Sequence, residues 1–463
     1  MTRAKLSGSF RRQRMLIVAL IALGACTDNT PTAVSPAGIG LAAARAAGGN
    51  GPTVKSTDPD TATIDTTLTV RVFGSGYDQG SRANWAFKGV VSDKIVTNST
   101  VFVSSTELVA NITIARNANL GSHDVIVTTA AGKPGIGTEL FVVTLKTIGL
   151  GTLGGLSSMA WAINNLGAVV GESKDAAGQD RAFLWTKEGG MRNLGTLGGS
   201  TSRAYDINDA GQVVGTSINA IGQMRPFLWT EAEGMRDIGR PDGSYGGAYG
   251  INSYGDVAME GRGGNVVWGA FYRSSLGVID EINTINANPE DVNNSSQVVG
   301  YLSYTSATGA TIQAVLWSRS VNGWEEKPLG FVSGAHSSEA RGINDAGQVV
   351  GYSRSFDNGV QAIIWTAAEG MKLLPNLPRR RESRAWNISN SGDVVGSSQM
   401  SSGLGTATLW SPVPGGWKVI DLGGALYGSS LARGVNDVGQ VVGVGVLVAG
   451  NSGHQQAILW EFR

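Results

Sequence analysis

Residues 342–353 read GINDAGQVVGYS, and seven versions of this phrase are spaced through the last two thirds of the chain. Their anchor pairs are Ile163-Asn164, Ile207-Asn208, Ile251-Asn252, Val292-Asn293, Ile343-Asn344, Ile388-Ser389 and Val435-Asn436, separated by 44, 44, 41, 51, 45 and 47 residues. A period in the forties with strand-type alternation, and no window of helical spacing inside the unit, fits a four-stranded propeller blade. A second landmark keeps the same frame: Trp185, Trp229, Trp317, Trp365, Trp410 and Trp460 stand 22 or 25 residues after their anchors. Only the third copy departs, with Arg273 at that place.

The second copy shows the expected elements of one unit. SRAYDIN is a strand, DAG turns it, QVVGTSI returns, RPFLWT follows a loop and GMRDIG completes four strands. In the turn an Asn or Asp side chain can bond nearby backbone N–H groups, while Gly211, Gly347 and Gly439 supply positive φ. A calcium loop is the competing explanation. It lacks ligands, because each copy offers one or two side-chain oxygens where calcium takes about six to eight. The glycine ending VVG is expected to let a strand approach its neighbour near a crowded axis.

The ends of the array are informative. The seventh copy stops at Trp460-Glu461-Phe462-Arg463 without a last strand, and an unassigned strand, LKTIGLGTLGG (Leu145–Gly155), precedes the first anchor. Leu150 stands 13 residues ahead of Ile163, as Leu194 does ahead of Ile207. A closed ring uses that orphan strand to complete the last blade, whereas an open row gains nothing from splitting a repeat. The expectation is an all-β chain whose residues 145–463 form a seven-bladed β-propeller closed by its N-terminal strand.

The segment AFLWTKEGGMRNLGTLGGSTSRAYDINDAGQVVG, Ala182–Gly215, resembles the HAF-type extracellular repeats of bacteria. The histidine that gives those repeats their name is replaced here by Arg181, Arg225 and Gln361. The resemblance spans residues 145–463 and implies an extracellular propeller; it implies no chemistry, since the repeat family has no assigned activity.

Upstream, residues 52–144 alternate in short runs such as Leu68–Val72 and Glu107–Ile114, separated by turn residues, which predicts a β-sandwich. The stretches DTTLTVRVFGSGYDQGSRANWAF, SSTELVANITI and GSHDVIVTTAAG resemble the immunoglobulin-like IPT/TIG family. That resemblance implies a spacer or adhesion module. Residues 1–25 combine a basic start with the nine-residue apolar run Met15–Leu23, too short to span a bilayer, and end in Leu23-Gly24-Ala25 before Cys26. This resembles a bacterial lipoprotein signal, with Cys26, the only cysteine, as the lipidated residue. Thr27 after it implies sorting to the outer membrane. Residues 26–51, mostly Ala, Gly, Pro, Thr and Ser, form a tether.

Charge excludes one class of partner. Lys and Arg total 36, as do Asp and Glu, but five of the basic residues fall in the first fourteen positions, leaving 31 against 36 and a net charge of about −5. Nucleic-acid binding wants the opposite sign, and Arg379-Arg380-Arg381 reads as a solvated loop. Three histidines, His123, His336 and His454, give no metal-ligand spacing. No nucleophile elbow or phosphate loop occurs, and NDAGQVVG ends in Gly where the box of sialidase-type propellers has Trp. No catalytic residue, metal or cofactor is therefore expected.

A ligand face is expected where the repeat loses regularity: Tyr245 and Tyr249, Arg273, and His336 in the longest gap between anchors. These features point to a monomeric, membrane-anchored binding platform for a glycan or a surface protein. A polysaccharide hydrolase or lyase is the rival, dependent on convergence of Glu260, Asp280, Glu281, Glu290 and Asp291. A purely structural envelope component is a third reading.

Overall fold

The computed structural model describes residues 51–462 apart from 117, 240–244, 264–265, 284, 307–308, 401–404, 424–426 and 448–453. The signal segment, Cys26 and all of the tether but Gly51 lie outside the described residues. The described chain is all-β.

Its first part is two sheets. One orders the strands Thr53–Asp58, Thr66–Ser75, Glu107–Ile114 and Ile95–Ser104; the other orders Thr61–Thr63, Pro134–Thr144, Gly121–Thr128, Arg82–Phe87 and Val90–Val91. Alternation decides which face is buried: in Glu107–Ile114, Leu108, Ala110, Ile112 and Ile114 turn inward. They join Val70, Val72, Trp85 and Phe141 in one core, with the rings of Trp85 and Phe141 edge-on at 5.8 Å.

The repeats build seven four-stranded antiparallel sheets. The first comprises Gly154–Ile163, Val169–Asp175, Asp180–Thr186 and Gly190–Asn193, and the next five repeat this meander up to Asp421. The seventh contains Tyr427–Val435, Gln440–Leu447 and Gln455–Glu461, and its fourth strand is Lys146–Gly149 from the start of the array. Lys146 lies opposite Glu461 and Gly149 opposite Ile458, so the orphan strand completes the last sheet. The anchor and the tryptophan frame coincide in register: Val169 pairs with Trp185, Val213 with Trp229 and Val349 with Trp365. In the third sheet Val257 pairs with Arg273.

Three devices recur between neighbouring sheets. Apolar side chains interlock across each gap: Trp229 and Phe227 pack with Val170 and Leu194 of the preceding sheet, and Trp185 with Val442 and Leu459 of the seventh. Serine hydroxyls accept backbone N–H groups of the preceding sheet: Ser202 from Ala182 at 2.9 Å, Ser383 from Ala362 at 3.0 Å and Ser158 from Ala457 at 3.0 Å.

The third device belongs to the anchor Asn. Its Oδ1 closes its own turn, as where Asn164 accepts from Leu166 at 3.1 Å and Ala168 at 2.9 Å. Gly211 and Gly347 stand in such turns at φ 75° and 72°. The Nδ2 does something the sequence phrase did not disclose, donating to the anchor carbonyl of the next sheet. Asn164 reaches Asn208 at 3.0 Å, Asn208 reaches Asn252 at 3.0 Å, Asn252 reaches Asn293 at 3.1 Å, Asn293 reaches Asn344 at 3.1 Å and Asn344 reaches Ser389 at 3.1 Å. Asn436 returns to Asn164 at 2.9 Å. Ser389, having no amide, is where this belt lacks a donor.

Candidate functional site

The innermost strand of every repeat sheet carries a β-bulge at one place. In the first sheet Ala160 pairs with Gly171 and Ala162 with Val170, leaving Trp161 as the extra residue. The same shift falls on Tyr205, Tyr249, Glu290, Arg341, Trp386 and Arg433 in the other six. A bulge re-aims the side chain it carries. Here all seven bulged side chains, each two residues before its anchor, line one cavity of about 430 Å³ at the axis of the sheets.

The VVG glycine permits that bulge. A Cβ on Gly171 would sit 2.0 Å from the Met159 carbonyl oxygen, and one on Gly351 would sit 1.9 Å from that of Glu339. In the third sheet Met259 takes this place and Gly247 stands on the facing strand, where the other sheets carry residues such as Met159 and Glu339. The loss of the motif glycine is thus matched by a glycine across the ladder, and Tyr249 still enters the cavity.

The wall made by the first three sheets is aromatic. Trp161 meets Tyr205 edge-on with centroids 5.3 Å apart, and Tyr205 stacks on Tyr249 at 5.2 Å. Opposite stand charges. Arg341 bonds Glu290, Glu339 and, at 2.9 Å, the Tyr352 hydroxyl. Arg433 lies between the rings of Trp161, at 4.4 Å, and Trp386, at 4.2 Å.

Tyr249 donates its hydroxyl to Glu260 Oε2 at 3.2 Å. Burial, reinforced by the nearby Glu290 charge, lifts the Glu260 carboxyl to about 7 even though that hydrogen bond opposes the rise. Burial also pushes the Tyr249 hydroxyl well above its usual value. Arg433 is lowered to about 10, by desolvation first and then by the charge of Arg341.

Ala162, Asp206, Asp291 and Asn387 line this cavity and also a second one of about 190 Å³ on the anchor side. Asp206 accepts the backbone N–H groups of Ile207 and Ile251, both at 2.8 Å; Asp291 accepts those of Val292 at 2.7 Å and Ile343 at 3.0 Å. Each carboxylate therefore ties its own sheet to the next. Both are raised by burial, Asp291 further by the charge of Asp206. Among the described residues no group of three or more His, Cys, Asp or Glu side chains is placed to hold a metal.

The sequence candidates are not gathered into one face. Tyr249 lines the cavity, while Tyr245 begins the same strand with 48% of its surface exposed. Arg273 ends its strand opposite Val257 and Ile279, and His336 stacks on Phe356 at 4.1 Å. None of these three lines the cavity, because loop irregularity marks the rim of a sheet whereas the bulges aim inward. Of the five carboxylates Glu260, Glu290 and Asp291 converge there. Asp280 instead pairs with Arg319, and Glu281 lies opposite Phe271 on the fourth strand of its sheet. Trp161, Tyr205, Trp386, Arg341 and Arg433 were missed. Their signal was available: the position two before each anchor reads Trp, Tyr, Tyr, Glu, Arg, Trp, Arg beside a nearly constant Ala.

No family model matches the sequence, and no curated protein matches it. Solved structures similar to the chain include the β-propeller domain of the Trilobed protease from Pyrococcus furiosus, 8% identical, with a TM-score of 0.42, over 80% of this chain and 98% of that one. TolB from Acinetobacter baumannii is 9% identical with a TM-score of 0.37, over 74% and 77% of the two chains. The six-bladed Aleuria aurantia lectin, a fungal protein that recognises fucose, is 11% identical with a TM-score of 0.33, over 58% and 96%. Among the described residues the chain is all-β, its sheets four-stranded but for one of five strands, and β-propellers are among the solved structures it is similar to.

Proposed function

We propose that this chain is a lipid-anchored surface protein whose axial cavity binds a saccharide without transforming it. In this reading residues 1–25 are a lipoprotein signal, Cys26 carries the lipid, and residues 26–51 are a tether to the outer membrane. Residues 52–144 are an immunoglobulin-like IPT/TIG spacer, and residues 145–463 are a closed propeller of seven blades, one per sheet.

The observation that carries the proposal is the ring of bulges. A constant frame delivers seven variable side chains into one concavity, an aromatic wall facing hydrogen-bonding and charged groups. Sugars present an apolar ring face and a hydroxyl edge, so they match both walls, whereas a protein epitope favours a broad, flatter surface. A glycan array probed with residues 52–463 tests this. Retention of a defined glycan, lost in Trp161→Ala and Tyr205→Ala proteins of unchanged melting temperature, is the expected result. Absence of binding to every glycan would remove the saccharide reading.

Glu260 and Glu290 favour one second reading, a polysaccharide hydrolase or lyase. A carboxyl held near 7 beside a second buried carboxyl is what general acid–base chemistry uses. Release of shortened or unsaturated saccharides, abolished in Glu260→Gln, would establish that reading in place of simple binding.

A further inference from the structure

Among the described residues the cavity holds a cation, Arg433, without a hydrogen-bonding partner. Arg433 makes no hydrogen bond and no ion pair among the described residues, and its Nε is buried without a partner. The acids whose fields reach it are committed elsewhere: Glu290 to Arg341 and Glu172 to Arg203. Its Cζ lies 4.4 Å from the centroid of the Trp161 indole and 4.2 Å from that of Trp386, so two aromatic rings flank the guanidinium while its N–H donors are left without an acceptor among the described residues. A guanidinium fixed by two flat neighbours has lost its rotamer freedom in advance, which favours a planar, two-point acceptor.

Resting on the saccharide reading above, we infer that the ligand is an acidic saccharide, its sugar carboxylate received by the Arg433 guanidinium between Trp161 and Trp386. Arg433 adjoins Trp161, where the aromatic wall begins, so a carboxylate held there brings the attached ring next to the wall of Trp161, Tyr205 and Tyr249. The hydroxyl edge then faces Tyr249 and Glu260 at the wall's far end. A carboxylate suits the site better than a phosphate. Among the described residues Arg433 is the cation of this cavity left without a partner, and Asp206, Glu260, Glu290 and Asp291 around it oppose a doubly charged group more than a single carboxylate.

The test uses the full chain in detergent and titration calorimetry with trimers of galacturonate, glucuronate and mannuronate, each beside its carboxyl-reduced neutral counterpart. At least one uronate trimer is expected to bind on the order of 30-fold or more tightly than its neutral counterpart. Arg433→Gln should erase that preference, and Arg433→Lys should keep part of it. The acid–neutral comparison on the unaltered protein needs no variant to fold. Equal affinity for acidic and neutral trimers, or retention of neutral glycans alone on the array, overturns the inference and leaves the saccharide reading in place. Binding of no saccharide removes both, and tight binding of hexaglutamate without any uronate would assign the site to acidic peptide instead.

Discussion

The Asn436 side-chain amide donates to the Asn164 carbonyl oxygen at 2.9 Å, joining residues 272 positions apart in the chain. The neighbouring turn repeats the join, with the Asp437 N–H donating to Asn165 Oδ1 at 2.9 Å. The amide bond is the one that five of the other six pairs of adjacent sheets make locally, Ser389 leaving out the sixth. The last sheet thus treats the first as its next neighbour, and the cavity at the axis exists because of it.

The belt of amides has one gap, and filling it is informative. Ser389 accepts from Asn344 but offers no amide to Asn436. Ser389→Asn should add the missing donor and stabilise the fold by about 1 kcal/mol. Asn208→Ala and Asn252→Ala should each cost roughly 1–3 kcal/mol, because each removes one of two donors to a carbonyl of the next sheet and leaves a turn without its cap. Urea unfolding of the four proteins checks the opposite signs.

Gly351→Ala tests whether the motif glycine serves the bulge. The added methyl would meet the Glu339 carbonyl oxygen at 1.9 Å, which the ladder can relieve only by opening beside Arg341. A loss of roughly 2–4 kcal/mol is expected, with weaker ligand binding as Arg341 shifts. Gly222→Ala is a poor control, since its φ is 82°, whereas Ala at Gly149, with only the Gln456 side chain 3.8 Å away, should be nearly silent.

Much of the fold was legible in the sequence because it is written seven times. The anchor spacing, the tryptophan frame and the stray Leu145–Gly155 strand locate sheets, register and the pairing of Lys146–Gly149 with the last strand. The site was not legible in the same way. Broken regularity pointed to Tyr245, Arg273 and His336, at strand ends, and to Tyr249 in the cavity, where Glu260, Glu290 and Asp291, expected only for an enzyme, also converge. A bulge inserts one residue, but the strand pattern alone does not say which residue is the extra one. Trp161 and Arg433 therefore read as ordinary strand positions until the ladder shows that they are unpaired. The inter-sheet role of Asn164 was hidden for a related reason: its local turn bonds already accounted for the residue.

Glu260 gives the protein a pH signature. Its carboxyl is held near 7 in the fold, against about 4.3 in an unfolded chain, so the folded state binds the proton more tightly. Stability from this group is therefore present at low pH and declines as pH rises from about 4 through 7. The melting temperature should fall between pH 5 and pH 8, and Glu260→Gln should make the fall shallower. Calorimetric scans at the two pH values measure the difference.

The anchoring proposal has its own test. Cys26→Ser removes the only sulfur able to take a lipid, and the protein should move from the membrane fraction to the soluble fraction. Unchanged retention on membranes after a salt wash would count against lipidation.

The central claim is that the strand Lys146–Gly149 completes the last sheet and so makes the ring that encloses the cavity. Lys146 and Glu461 face each other there, their side chains 3.2 Å apart in an ion pair, and antiparallel partners have Cα atoms about 4.5–5.5 Å apart, within disulfide reach. In a protein carrying Cys26→Ser, Lys146→Cys and Glu461→Cys, mild oxidation followed by peptide mapping should find one intramolecular disulfide between positions 146 and 461 in nearly all molecules. Two free thiols under those conditions, or disulfides only between separate molecules, would contradict the closed ring.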